Sequence, residues 1–306
     1  KPSAAIVGEI TKEAADETGL LPGTPIINGS GDLSSAALGS GAICNGELHI
    51  SVGTSGWVAG HYTKRKIDIA HYTGCIGSTY PDKYYLAMAH QETAGVCLEW
   101  LKNNVLYHKQ ALLDEEKVEE IYQLLDNIVE KTAPGSEGLI FTPWMFGERC
   151  PLDDDYVRAG LFNVSLNHTR DHIIRAVFEG IAFNTRWAME TLENLYSPVS
   201  ELSIISGGAK SDIWCQIMAD ILNRKINQVT NPQQAGAKGI GLLASMTLGY
   251  IESFEDIKKY IKINRQFSPS PENRELYDRL FREFKNIYKQ NKKWYARMNK
   301  FSENSQ

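Results

Sequence analysis

An α/β fold is predicted by three places where a short apolar run passes through a turn, glycine-rich in the first two, into a helical pattern. Thr24–Ile27 runs into Asn28-Gly29-Ser30-Gly31-Asp32 and then into the small-residue stretch that ends at Gly41. Leu202–Ser206 runs into Gly207-Gly208-Ala209 and a helical pattern from Ser211 to Asn223. Lys225–Val229 is followed by a small-residue helix over Ala235–Leu248. Strands that feed helices in this way assemble into a layered domain with helices packed on a sheet.

The other elements follow in chain order. Ala4–Ile10 is a short apolar piece, and Thr11–Gly19 reads as a helix with a glycine stop. From 24 to 62, β-like runs alternate with glycine turns. Among them, Asn45-Gly46 predicts a hairpin between Ala42-Ile43 and Leu48–Ile50. Tyr84–Ala89 reads as a strand, and Thr93–Leu101 has helical apolar spacing. Residues 108–131 form a charged amphipathic helical segment, with Asp114–Lys117 as its solvated start. Leu139–Phe141 reads as a short buried strand. A long helix spans Arg170–Leu195, with Ile173, Ile174, Val177, Ile181 and Trp187 on its apolar face. The tail, Glu272–Met298, is a charged amphipathic helix.

The 306 residues suffice for one large or two medium domains, with 42% hydrophobic and 23% charged residues as in ordinary globular chains. A net charge of -5 with no sustained basic stripe argues against a nucleic-acid partner. Cys44, Cys75, Cys97, Cys150 and Cys215 lie far apart with no CxxC pair, the pattern of reduced thiols in the cytoplasm. No apolar run is long enough to span a bilayer, and no signal peptide is found, so a membrane partner is not expected. Sequons begin at Asn28, Asn163 and Asn167 and carry no meaning without a secretory signal. Residue 1 is Lys, and the first twenty residues read as protein interior, so the chain is expected to come from a larger gene product.

Three glycine turns carry the chemistry. Asp32 stands in a run of glycine and small residues, where a substrate could approach a carboxylate closely. An ionised aspartate there could take a proton from a hydroxyl, and a helix N-cap is the plainer reading of the same residue. Gly53-Thr54-Ser55-Gly56 follows the strand-like Ile50-Ser51-Val52 and offers amides and hydroxyls to a phosphate; alternatively it is a tight hairpin turn. Ser206-Gly207-Gly208-Ala209-Lys210-Ser211-Asp212 could set amides and a helix N-terminus against a ligand. There is neither a P-loop nor a GxGxxG fingerprint. His168 and His172 read as a helix start rather than a metal pair, Asp153-Asp154-Asp155 as a solvated loop, and Met88, Met145 and Met218 as core. Gly147-Glu148-Arg149-Cys150-Pro151 reads as an ordered loop with a charged pair held between glycine and proline.

Taken in order, Gly29-Ser30-Gly31-Asp32, Ser51–Gly56, Gly147–Pro151 and Ser206–Ala209 resemble the C-terminal half of the FGGY family of carbohydrate kinases. Arg158-Ala159-Gly160, Glu179-Gly180 and Ala235–Gly239 add to the likeness, which runs from Gly8 to about Tyr250. Each motif is moderately specific, and the ordered set is strong. The resemblance implies an actin-like, ribonuclease-H-like fold with a mixed sheet flanked by helices, and a cleft for Mg-ATP and a sugar. It implies Asp32 as the catalytic base, with Gly31 and Asp32 at the substrate. Gly53, Thr54 and Ser55 would contact phosphate, and Gly95 and Glu99 would lie beside the nucleotide, where the family often has an amide. Gly207, Gly208 and Ala209 would contact adenosine, with Asp212 where an asparagine is common.

The expected reaction is phosphoryl transfer from ATP, with Mg²⁺, to a ketopentose, D-xylulose giving D-xylulose 5-phosphate. The alternatives are gluconate, ribulose or glycerol as substrate, or a nucleotide-binding module without catalysis. Residues 1–22 would lead in from a preceding N-terminal domain, 23–260 would form the nucleotide-binding domain and 261–306 a helical tail. No DxGT-type hairpin of the family's N-terminal domain is present, so that domain would complete the cleft, and this chain alone is expected to be inactive. A homodimer is common in the family, with the tail helix as a candidate contact.

Overall fold

The computed structural model describes residues 1–106 and 121–300. The pattern of strand, turn and helix resolves into one mixed seven-stranded sheet with helices on both faces. At the N-terminus, β1 (Ile6–Glu9) pairs antiparallel with β2 (Pro25–Ile27) around α1 (Lys12–Thr18). Thr11 caps α1 by accepting from the Ala14 amide, and Gly19 stops it at φ 75°. α2 (Asp32–Ser40) follows, and Gly31, not Asp32, is its N-cap.

The sheet is built from β3 (Leu48–Val52), β4 (Gly56–Tyr62), β5 (Thr73–Gly77), β6 (Tyr85–Gln91), β9 (Glu201–Ile205), β10 (Lys225–Val229) and β11 (Ile263–Phe267). Its order is β11-β10-β9-β3-β4-β6-β5, with β9 parallel to both β3 and β10 and the other pairs antiparallel. Two further short strands, β7 (Ile140–Thr142) and β8 (Gly160–Phe162), form a separate ladder. The remaining helices are α3 (Val96–Leu101), α4 (Ile121–Lys131), α5 (Arg170–Leu195), α6 (Asp212–Leu222), α7 (Ala235–Thr247) and α8 (Arg274–Asn299). The predicted cluster at Asp114–Lys117 and the start of its helix lie outside the described residues.

Alternation along β3 divides the molecule. Leu48, Ile50 and Val52 join Val58, Ala87 and Ala89 in the main core with α5, α6 and α8. On the other face, α2 packs on Ala59, Leu86 and Ile205 and crosses α7. That crossing is set by glycine: a Cβ on Gly239 would lie 1.9 Å from the Ser35 carbonyl oxygen, and one on Gly39 1.8 Å from that of Ala235. Backbone therefore meets backbone, and α7 fixes where α2 begins.

Two expectations need correction. Asn45-Gly46 does not join two strands, because Ala42 and Ile43 directly follow the α2 stop at Gly41 and Ile43 is buried against Leu38 and Phe254. The hairpin is β3–β4, turning at Gly53–Ser55, while Gly46 donates to the His61 carbonyl at its far end. The tail is also part of the body: β11 extends the sheet, and Tyr277, Phe281 and Phe284 of α8 are buried in the main core.

β3 and β4 also bury two histidines, His49 and His61. His49 accepts from the Trp57 indole at 3.0 Å, and His61 Nδ1 meets the Ala42 carbonyl at 2.9 Å. Burial drives the His49 pKa down to about 3, with His61 adding to the shift, and burial lowers His61 as well. Both folded values lie below the unfolded one, so the unfolded chain takes up the extra protons as pH falls. Stability is expected to hold above about pH 6.5 and to fall below it, at up to about 1.4 kcal/mol per unit for each histidine. Urea unfolding at pH 7.5 and 5 checks this: His49→Gln should show a smaller acid loss than the parent, and equal losses would contradict it.

Candidate active site

The β3–β4 turn, the start of α3 and the turn after β9 meet at one edge of the sheet. The Gly53 carbonyl accepts from the Gly95 amide at 2.7 Å, and the Thr54 carbonyl accepts from Ala94 and Val96. The Gly53 and Thr54 carbonyls are thus taken up by the head of α3, and the Thr54 and Ser55 amides have no backbone partner among the described residues. A Cβ on Gly95 would sit 2.6 Å from the Gly53 oxygen, which explains the glycine there by packing. Ser51 and Ser206 share a hydrogen bond of 2.7 Å that ties this turn to the next. Ser206 itself has φ 75°, an unusual conformation for serine that turns the chain into Gly207-Gly208.

Between these turns lies a cleft of about 970 Å³. Of the residues expected at a nucleotide, Gly53, Thr54, Gly95, Glu99, Gly207, Gly208 and Asp212 all line it. Ser55 is half-buried at the hairpin tip, and Ala209 is buried beneath, its carbonyl held by Gln228; neither lines the cleft. Gly207 opens onto free space, whereas a Cβ on Gly208 would come within 2.7 Å of Val52 Cγ1 and 3.0 Å of the Trp214 ring. Phe178 and Trp214, with ring centroids 4.7 Å apart, supply an apolar wall.

Two predicted side chains are engaged within the protein. The Asp212 carboxylate accepts from Gln228 at 3.0 Å and pairs with Arg265 at 2.6 Å. Glu99 pairs with Lys102 at 2.9 Å, and Lys102 in turn lies over the Tyr122 ring. The sequence reading missed the opposite wall altogether. Tyr122, Gln123, Asp126, Asn127 and Glu130 of α4 line the cleft, a stripe with helical spacing that names no motif. Asp126 accepts from Ser211, the N-cap of α6, at 2.8 Å, and burial raises its pKa while that hydrogen bond opposes the shift.

Asp32 is exposed at the first position of α2 and does not line the cleft. One carboxylate oxygen accepts from the Leu33 amide at 2.8 Å, and no donor among the described residues is bonded to the other. The helix-cap reading of Asp32 therefore gives way to Gly31. Its charge acts on His90 of β6, whose ring stacks on Trp57 just past the hairpin turn. Burial and the Arg149 charge lower the His90 pKa, while Glu92 and Asp32 oppose that shift.

The Gly147–Pro151 loop is ordered, but its two charges do not pair with each other. Glu148 is buried and accepts from the Glu92 and Arg149 amides and from Asn184, and burial pushes its carboxyl up to about 8. Arg149 pairs with Glu92 at 2.6 Å. The neighbouring aspartates are not all solvated either: Asp154 is buried, accepting from the Tyr288 hydroxyl and the Tyr156 amide, which fixes the loop to α8. His168 and His172 do serve the start of α5, where Thr169 and His172 form a capping box. Among the described residues no group of acidic, histidine or cysteine side chains could hold a metal, and no helix is long and apolar enough to cross a membrane.

Residues 48–248 match the model of the FGGY family of carbohydrate kinases, C-terminal domain. The chain is 32% identical over 291 residues to a xylulose kinase of Staphylococcus epidermidis, covering 95% of this chain and 56% of that protein. It is 31% identical over 299 residues to a xylulose kinase of Bacillus subtilis, covering 97% and 57%. A crystal structure of gluconate kinase from Lactobacillus acidophilus superposes with a TM-score of 0.85 at 26% identity, over 97% of this chain and 58% of that one. The chain thus spans about half the length of the curated relatives it matches. The sheet and its flanking helices have the actin-like ATPase fold that these kinases share. On its sequence match and its fold, the chain belongs to the FGGY family of carbohydrate kinases.

Proposed function

We propose that this chain is the nucleotide-binding half, with the catalytic base, of a kinase that transfers the γ-phosphate of ATP to a ketopentose, D-xylulose giving D-xylulose 5-phosphate. The observation that carries the reading is the meeting of Gly53-Thr54 and Gly207-Gly208 on one cleft, with Asp32 at the start of α2 on the other side of the hairpin. ATP fits this cleft. The Thr54 amide, with no backbone partner among the described residues, and the open space at Gly207 suit the phosphates, and Phe178 and Trp214 suit the apolar base. Mg²⁺, bound through the phosphates and water, would neutralise charge on the transferred group.

The residues of the chain do the rest. The unbonded oxygen of Asp32 would accept the proton of the sugar hydroxyl, while its other oxygen stays on Leu33 and keeps the carboxylate oriented. The Thr54 amide would hold the phosphoryl oxygens as charge develops. A preceding N-terminal domain would supply most sugar contacts and close the cleft against water.

Gluconate is the second reading, favoured by the likeness to the gluconate kinase structure. A coupled ADP-release assay of the full-length protein on D-xylulose, D-ribulose, gluconate and glycerol tests both. The highest kcat/KM is expected for D-xylulose. A gluconate preference would move the assignment to the second reading, and no turnover on any of the four would contradict both.

A further inference from the structure

A second cavity of about 420 Å³ lies at the far end of the β3–β4 hairpin from the phosphate turn. It is bordered by Asn45, Gly46, Tyr62, Lys64, Lys66 and Ser197, among others. β4 separates the two places by its seven residues, roughly 20 Å of extended chain. The volume lies within the range of small-molecule sites, about 300–1,000 Å³.

Its chemistry is one-sided. Among the described residues no aspartate or glutamate lines it, while two lysines do. Tyr62 is 5% exposed, and its hydroxyl has no hydrogen-bond partner among the described residues, a costly state for a buried polar group. The carboxylate that acts on the Tyr62 phenol, Glu193, is already paired with Arg224 at 3.0 Å. Asn45 uses its side-chain oxygen to accept from the Thr63 amide, which leaves its NH₂ group as a donor.

The cationic loop is also held in place. The Tyr196 hydroxyl donates to the Lys64 carbonyl and accepts from the Lys66 amide, both at 3.0 Å. The Tyr196 ring stacks on Tyr62 with centroids 3.7 Å apart. The Lys66 ammonium bonds to the Leu195 carbonyl at the end of α5, whereas among the described residues no hydrogen bond or ion pair engages that of Lys64. The backbone that carries both lysines and the Tyr62–Tyr196 stack are thus fixed around one cavity before any ligand arrives, which lowers the ordering cost of binding.

We propose that this cavity is a second ligand site, separate from the nucleotide cleft, that takes a small organic phosphate. A phosphate monoester brings about −1.5 to −2 charges and three acceptor oxygens, enough to engage Lys64, Tyr62 and Asn45 together. The site does not depend on the sugar kinase assignment, because none of its lining residues belongs to the cleft.

The test is a ¹H–¹⁵N TROSY titration of this chain with D-ribose 5-phosphate, with D-ribose as the uncharged control. Saturable shifts are expected at Thr63, Lys64 and Ser197 with the phosphate and none with ribose. Lys64→Ala should weaken the apparent affinity about tenfold. Tyr62→Phe, which keeps the ring stack and removes only the hydroxyl, should weaken it at least about threefold, with the remaining spectrum unchanged. Shifts confined to Gly53, Thr54, Gly207 and Gly208 would overturn the proposal, as would an absence of shifts or an equal response to ribose.

Discussion

Asp32→Asn, introduced into a full-length kinase carrying this sequence, is expected to lower kcat by about 10²–10⁴-fold, the usual share of a positioned proton acceptor. Asparagine keeps an oxygen for the Leu33 amide, so the start of α2 should survive, but it removes the charge that would accept a hydroxyl proton. Nucleotide affinity should stay within about twofold, because Asp32 does not line the cleft proposed to hold the nucleotide. Steady-state kinetics with separate titrations of sugar and ATP would show this as a loss in kcat with an unchanged KM for ATP. Near-normal turnover would remove Asp32 from the role of base.

The second large effect concerns the scaffold. Gly239→Ala is expected to destabilise the fold by about 3–5 kcal/mol, since its methyl group would need the space of the Ser35 carbonyl. The obstacle is backbone on both sides, so no rotamer change relieves it, and α2 must move away from α7. That is a large part of the roughly 5–15 kcal/mol that holds a domain folded. Gly236→Ala, one turn earlier on the same helix, is the matched control: nothing lies within 4 Å of its Cβ position, and alanine there should add about 0.5–1 kcal/mol. Urea unfolding of the two variants should separate them in opposite directions. Equal stabilities would mean that the α2–α7 crossing is looser than the structure shows.

The parts of the fold that were legible are those whose own sequence decides their conformation. The long periodic helix Arg170–Leu195 and the Ser211-capped helix before Asn223 have strong apolar faces and clear ends. β5 and β11 were not legible. β11 carries Asn264, Arg265 and Gln266 on an exposed edge, so its pairing with β10 comes from the sheet and not from any alternation. Asn45-Gly46 has the right residues for a hairpin, but Ile43 is claimed by the α2–α7 core.

The candidate site shows the same division. Its glycine turns stood out because close backbone approach leaves a mark in the sequence, as at Gly95 and Gly208. The α4 wall left none, since Gln123, Asp126 and Asn127 look like any solvated helix face until α6 is packed opposite. Glu148 was visible as an oddity between Gly147 and Pro151, yet its partners, the Glu92 and Arg149 amides and Asn184, come mostly from other elements.

Calorimetric titration of this chain with Mg-ADP tests the central claim most directly. Saturable binding is predicted, and it should be lost in Gly208→Val, whose side chain would push into Val52 and Trp214 beneath the cleft. Absence of binding by the folded chain, together with no binding by a full-length kinase carrying this sequence, would contradict the nucleotide assignment of the cleft.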